Sequence, residues 1–462
     1  MKKYSSPTLS CLLFLAAFLA LAPGLEAAAP PRFTAVEVVP PGGGLFFGLA
    51  DLNESGQVAG TYDPGTQTSR AFFWDPQTRV SQDLGTPQGE RFYNNAVCLN
   101  NQGKVAGQYF NLDTGAGVAF LWDTRLGLRQ LLNLSGFGYS QPINLNSRSQ
   151  IIGQTHPALG APSEKPNQEF GLPDQQFGTW NSLSCLWDPA RGLRPLLLQP
   201  LPGEVQTWAT SINNGASAST GGFFRQPIPN TFYIAGYARN GAGYNRAVVW
   251  NANGAVRNLG TLGGNNSRAW AVNDLGWVVG EAEGSGNPAA PFPNFQNGGN
   301  YRAFLWKGNR MQDLGFLPNG TWSRAIMINN YGMVVGEGDN SVYGHVFAWT
   351  AQNGMALLTP VGGLTSRNPR LNNYGQVVGD LQMANEPQRV FYWTRALGTL
   401  DLTSLVFPPL PDDEFLVRAL GINDRGMVLA MSNHNKLYLL TPQTLQRSLG
   451  GVPRSGWYWW DD

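Results

Sequence analysis

Between Ser267 and Gly315 the chain reads S-R-A-W-A-V-N-D-L-G-W-V-V-G-E, then an insertion, then Y-R-A-F-L-W-K-G-N-R-M-Q-D-L-G. An apolar run enters Asn-Asp-Leu-Gly, and a Val-Val-Gly run leaves it. An aromatic run then ends at Trp306, and Lys307-Gly308-Asn309 turns the chain into a last short run. Short apolar runs punctuated by turn residues read as four strands. Versions of this unit recur about eight times along the chain, which restricts the fold to architectures built by stacking one small β unit on the next.

The marker of each copy is an Asn behind an apolar residue, at Asn53, Asn100, Asn146, Asn213, Asn273, Asn329, Asn372 and Asn423, with spacings from 43 to 67. In six copies Gly follows three positions later; the third copy has Ser149 there and the fourth has Gly215 one place early. Asn can bond the backbone two residues on, and Gly accepts the positive φ that closes a hairpin turn. The eight asparagines are therefore expected to shape turns. The second runs (Q-V-A-G, W-V-V-G, M-V-V-G and their like) are apolar on both faces, as in a strand packed between other sheets. The third runs end in Trp74, Trp122, Trp187, Trp250, Trp306, Trp349 and Trp393, with Leu440 in the eighth copy. An aromatic at the same place in nearly every copy reads as core rather than as a sugar-stacking stripe.

Four strands in a period of about 50 residues make a propeller blade, and the fold class expected is an all-β, β-propeller-like ring of about seven to eight four-stranded repeats. A β-solenoid is the competing layout. The lone strand from Phe33 to Val39 favours ring closure, because it resembles the fourth strand of a unit and can complete the last blade. Leu445 to Leu449 also reads as a fourth strand, which leaves the blade number open between seven and eight.

Charged residues are only 13% of the chain, and 31 Lys and Arg stand against 30 Asp and Glu, so the basic excess that nucleic-acid binding needs is missing. Lys2 and Lys3, an apolar stretch from Leu9 to Leu21 and a small-residue run at Ala27 to Ala29 fit a secretory signal peptide over residues 1–28. Its removal leaves a neutral chain of 29 basic and 29 acidic residues. That places the protein in the periplasm or outside the cell, as a monomer with no membrane span in the mature chain. One repeat domain is expected over 29–456, with an aromatic and acidic tail over 457–462.

The runs Arg257 to Gly264 (R-N-L-G-T-L-G-G), S-R-A-W-A-V-N-D-L-G-W-V-V-G and Y-R-A-F-L-W-K-G-N-R-M-Q-D-L-G closely resemble the extracellular HAF-repeat proteins of bacteria. The triplet behind that name, His-Ala-Phe, reads Arg70-Ala71-Phe72, Arg302-Ala303-Phe304 and His345-Val346-Phe347 here. The resemblance covers nearly the whole mature chain and is strongest from Ala247 to Gly379. It implies secretion and a propeller-like fold, and it transfers no catalytic residue.

Catalytic chemistry is thinly represented. His156, His345 and His434 lie in different copies, and neither Cys98 nor Cys185 has a His or Cys at metal-ligand spacing, so no metal and no cofactor is expected. No nucleophile elbow, phosphate loop or His-Glu-x-x-His is present. The binding candidates are of two kinds. Arg268, Arg324, Arg367 and Arg418 stand five residues before the marker Asn in the last four copies, where they would ring one side of a channel mouth and hold a carboxylate or sulfate. The competing reading pairs three of them with Glu281, Glu337 and Asp380 across the hairpin and leaves Arg418, facing Met431, as the odd one out. The second kind are the aromatics Phe170, Trp180, Phe292 and Phe295 in long insertions at about 155–181 and 283–300. A further insertion, 215–231, falls between first and second strands and is expected on the opposite face. The chain thus reads as a binding or interaction protein whose partner is an extracellular glycan or surface protein. A polysaccharide hydrolase or lyase on the same scaffold and a purely structural matrix protein are the alternatives.

Overall fold

The structure is a computed structural model, and it describes residues 29–66, 68–86, 92–111, 116–157, 182–215, 232–285, 300–341, 343–358 and 363–443. The expected signal peptide, the strand expected at Leu445 to Leu449, the expected C-terminal tail and the insertion aromatics Phe170, Trp180, Phe292 and Phe295 lie outside the described residues.

Eight four-stranded antiparallel sheets form the fold, and in seven of them the strands pair in chain order. Blade 1 runs from Leu45 to Asp83, blade 2 from Phe92 to Gln130, blade 3 from Phe137 to Leu197 and blade 4 from Glu204 to Gly260. Blade 5 runs from Gly263 to Asp313, blade 6 from Ser323 to Leu357 and blade 7 from Gly363 to Asp401. Blade 8 takes three strands from Leu416 to Pro442 and its fourth from the N-terminus. There Phe33–Glu37 pairs antiparallel with Leu437–Pro442, Phe33 opposite Pro442 and Glu37 opposite Tyr438. Each first strand touches the first strand of the blade on either side, and blade 8 meets blade 1, so the eight first strands surround one axis. The protein is a β-propeller of eight blades closed by its N-terminal strand. Closure rules out the solenoid, in which the first and last units do not meet.

The core lies between blades, in clusters that each draw on adjacent sheets, such as Ala59, Phe73, Val105 and Trp122 between blades 1 and 2. Trp74, Trp122, Trp187 and Trp250 are fully buried there. Trp306 and Trp393 differ from the expectation and are only half-buried. Over the Trp306 ring lies Arg257 of blade 4, 5.2 Å from its centre, a cation–π cover rather than an apolar one.

The marker asparagines do more than shape turns. In seven blades Oδ1 accepts backbone N–H groups two and four residues on, as at Leu275 and Trp277 for Asn273, whereas Asn213 accepts the N–H of Tyr233 across its insertion. Each Nδ2 then donates to the backbone carbonyl of the marker Asn in the next blade, at 2.8 to 3.2 Å, from Asn53 to Asn100 and onward to Asn423, which returns to Asn53. The eight buried amides thus close a continuous ring around the axis. The next residue adds a second, outer set: the N–H of Asp274 donates to Asn330, that of Asn330 to Asn373, that of Asn373 to Asp424 and that of Asp424 to Glu54. This is why the marker is so often Asn-Asn or Asn-Asp.

The other recurrent residues are also used between blades. Ser267, Ser323 and Ser366 accept the N–H of Ala247, Ala303 and Val346 in the preceding blade. The Gly of Val-Val-Gly faces a bulge in the first strand, where that backbone comes very close. A Cβ on Gly280 would sit 1.9 Å from the Arg268 carbonyl oxygen, so no larger residue fits there without moving the strand.

Candidate functional site

With the recurrent residues accounted for, the charged positions beside the axis are the ones that differ between blades. Five residues before the marker, blades 2 and 3 carry Asn95 and Gln141 opposite Gln108 and Gln154. Blades 5 to 7 carry Arg268, Arg324 and Arg367 directly opposite Glu281, Glu337 and Asp380, and blade 8 carries Arg418 opposite Met431. The hairpin therefore has the register that pairs Arg with acid, but each copy uses it differently.

Arg268 is 1% exposed, with Nη1 3.7 Å from Glu281 Oε1. Its guanidinium lies 5.2 Å from the ring centre of Tyr237 and 6.0 Å from that of Trp270, and Tyr237 in turn stacks on Trp208. Aromatic faces are weak acceptors that suit a delocalised cation removed from water. Arg268 is thus part of the packing between blades 4 and 5 and presents no charge to solvent. Arg324 pairs with Glu337 at 2.6 Å, half-buried, and Glu337 also accepts the Asn368 N–H of blade 7.

Arg367 stands opposite Asp380, yet it is exposed. The cause is Asn368, which replaces the Ala found at this place in blades 2, 4, 5, 6 and 8 and adopts φ 54°. Its amide donates to Asp380 Oδ2 at 2.8 Å, and the other carboxylate oxygen accepts the Ala419 N–H of blade 8. Both oxygens of Asp380 are occupied, and Arg367 is displaced outward. The solvent-facing cation of the set is therefore Arg367 rather than Arg418, which is half-buried and interacts with Asp380.

Sequence reading missed a further cation, Arg370, two residues before its marker. Its Nε donates to the Leu420 carbonyl of blade 8 at 3.0 Å. Burial lowers the pKa of Arg370, against the opposing pull of Asp380, Asp51 and Glu337 and with the aid of Arg418. Asp51 of blade 1 accepts the N–H groups of Leu52 and Leu99, and burial raises its carboxyl pKa despite those bonds. Arg324, Arg370 and Arg418 thus gather with Asp51, Glu337 and Asp380 beside the axis where blades 6, 7, 8 and 1 meet, and Arg367 lies exposed on the first strand of blade 7, opposite Asp380 in register. A signal for this was present: blade 7 reads R-N-P-R where blades 5, 6 and 8 read R-A-W-A, R-A-I-M and R-A-L-G.

The exposed guanidinium of Arg367 is of the kind that holds an anion. It is less suited to acid–base work, since all three carboxylates accept backbone N–H bonds or an Arg. Among the described residues no group of three His, Cys, Asp or Glu side chains is placed to hold a metal ion. Cys98 and Cys185 are free thiols in one apolar cluster between blades 2 and 3, and burial raises both well above the usual thiol range. No helix among the described residues is long and apolar enough to cross a membrane.

No family model and no curated protein matches the chain. Among solved structures, dipeptidyl peptidase 4 of Porphyromonas gingivalis is similar at 11% identity and a TM-score of 0.49, over 82% of this chain and 56% of that one. The propeller domain of the Trilobed protease from Pyrococcus furiosus aligns at 8% identity and a TM-score of 0.44, over 78% of this chain and 98% of that one. Oligogalacturonate lyase in complex with manganese aligns at 12% identity and a TM-score of 0.44, over 80% of this chain and 92% of that one. The chain spans little more than half the length of the peptidases it matches, and at this similarity the assignment of the fold stands on its own strand pairing.

Proposed function

We propose that the protein is a secreted β-propeller binding protein of the HAF-repeat kind, and that it holds carboxylate or sulfate groups of an extracellular glycan or surface protein at Arg367. The observation that supports this reading is the exposure of Arg367. The marker asparagines and the serines ahead of them are spent on holding neighbouring blades together, whereas Asn368 takes the acid opposite Arg367 and leaves Arg367 exposed. The insertion aromatics Phe170, Trp180, Phe292 and Phe295 are further candidates for ligand contact on sequence grounds. Secretion rests on the signal sequence at residues 1–28.

A glycan array probed with the mature protein at low and at moderate salt tests the proposal. Binding to acidic glycans that weakens with salt and is lost in Arg367→Ala is the expected result, because exposed charge pairs are screened within about 10 Å at 0.1 M salt. Binding that ignores both salt and this substitution would reject the Arg367 site. An absence of binding to any glycan would move the ligand to a protein or the role to a structural one.

A further inference from the structure

The opposite end of the propeller carries a second surface, on the Asn-x-x-Gly turns themselves. The third residue of each turn lies beside the amide ring, and in four blades it is polar and exposed: Ser55, Gln102, Arg148 and Arg425; the shorter turn of blade 4 has the buried Gly215 there. In the three consecutive blades 5, 6 and 7 it is Leu275, Tyr331 and Tyr374, which are 40%, 80% and 58% exposed. Their backbone is held still: the N–H of each donates to the marker Asn of its own turn at 3.0 to 3.1 Å, and that Asn is bonded in turn to the next blade. Large side chains that could pack elsewhere are instead set out at equivalent places on a rigid arc, with the half-buried polar groups Asp274, Asn330, Asn373 and Asp424 just inside it.

We infer that this arc is a binding site for a neutral hexopyranose chain. The two rings and one leucine supply the apolar faces that sugar C–H groups stack on, and the phenol hydroxyls supply partners for sugar hydroxyls, while the inner pairs Asn330–Asp274 and Asn373–Asp424 are bonded to one another and fix the turns beneath. The charge argues for a neutral sugar: among the described residues Asp274 and Asp424 stand against Arg425 and against Lys307, whose Nζ lies 3.6 Å from the ring centre of Trp277 beside Leu275, so the arc has no excess of positive charge to hold uronates or sulfates. Extension over three blades predicts a preference for chains longer than a disaccharide. The site is independent of the anionic ligand proposed for Arg367, and the two stand or fall separately.

The test is calorimetric titration of the full mature chain with a panel of neutral hexose hexasaccharides (β-1,4- and β-1,3-glucan, α-1,4-glucan and β-1,4-mannan) and the matching disaccharides. One or more hexasaccharides should bind, the disaccharides about tenfold more weakly or worse. Tyr331→Ala and Tyr374→Ala should each weaken hexasaccharide binding by about tenfold or more, a loss of about 1.4 kcal/mol. Tyr331→Phe should retain most of it, and Arg367→Ala should leave it unchanged. Both tyrosines are solvent-exposed, so unaltered thermal unfolding of the alanine variants confirms that the fold is intact. Binding that survives both Tyr→Ala substitutions, or a panel with no binder while acidic glycans still bind through Arg367, would overturn the inference and leave the function proposed above standing.

Discussion

Arg268 and Arg367 occupy the same place in their blades and meet opposite environments. Arg268 lies between aromatic rings with Glu281, out of water, so removing its charge strands a buried carboxylate. Arg268→Met should cost about 3 to 5 kcal/mol in urea unfolding, and adding Glu281→Met should recover part of that loss. Arg367→Ala, at an exposed site, should change stability by no more than about 0.5 kcal/mol. Equal effects of the two single substitutions would contradict the assigned environments. Histidine 156 makes a second prediction at this scale. It is buried in blade 3 with Nδ1 2.8 Å from the Ser182 hydroxyl, and burial lowers its pKa from 6.5 to about 4. The unfolded chain takes up a proton near 6.5 and the folded chain does not, so stability is full above that pH and falls as pH drops towards 4. The single group accounts for about 3 kcal/mol across that window. His156→Gln should flatten the difference in unfolding free energy between pH 7 and pH 4, and an unchanged slope would reject the role.

At the scale of the element, the unit of stability is the hairpin turn together with the neighbour it is bonded to. Asn273→Ala removes two acceptor bonds inside the turn and one donor bond to the Asn329 carbonyl of the next blade. It should destabilise by about 2 to 4 kcal/mol. Asn273→Asp separates the two roles, since the carboxylate still accepts from Leu275 and Trp277 but cannot donate to Asn329. A stability equal to that of the parent protein would show that the inter-blade bond contributes nothing. The turn role was legible from Asn and Gly spaced around apolar runs, because an Asx turn is closed by local chain geometry. The ring was not, because its acceptor lies 56 residues away and is a backbone carbonyl that carries no sequence signature. The tryptophans show the same division. Their place at the end of the third strand follows from the repeat, whereas the half-burial of Trp306 depends on Arg257, a residue of another blade.

At the scale of the whole molecule, the N-terminal strand decides whether the propeller is a ring. Phe33–Glu37 covers the edge of Leu437–Pro442, and its first residue also receives the Phe407 N–H from the segment that follows blade 7. Deleting residues 33–37 exposes that edge and the buried Tyr438 and Leu440 beneath it. Thermal unfolding should move to lower temperature and lose cooperativity, and an unchanged transition would reject closure as a stabilising feature. The sequence by itself determined the four-stranded unit, its repetition, the turn residues and the placing of Arg268, Arg324 and Arg367 opposite or diagonal to an acid across the hairpin, since all of these follow from spacing along a short stretch of chain. Only the tertiary structure decided that there are eight blades, that Arg268 is enclosed, that Asn368 releases Arg367, and that Leu275, Tyr331 and Tyr374 form one arc. Those outcomes depend on which blade lies beside which, and on small backbone shifts at the bulges, and such distances exist only once the ring has closed.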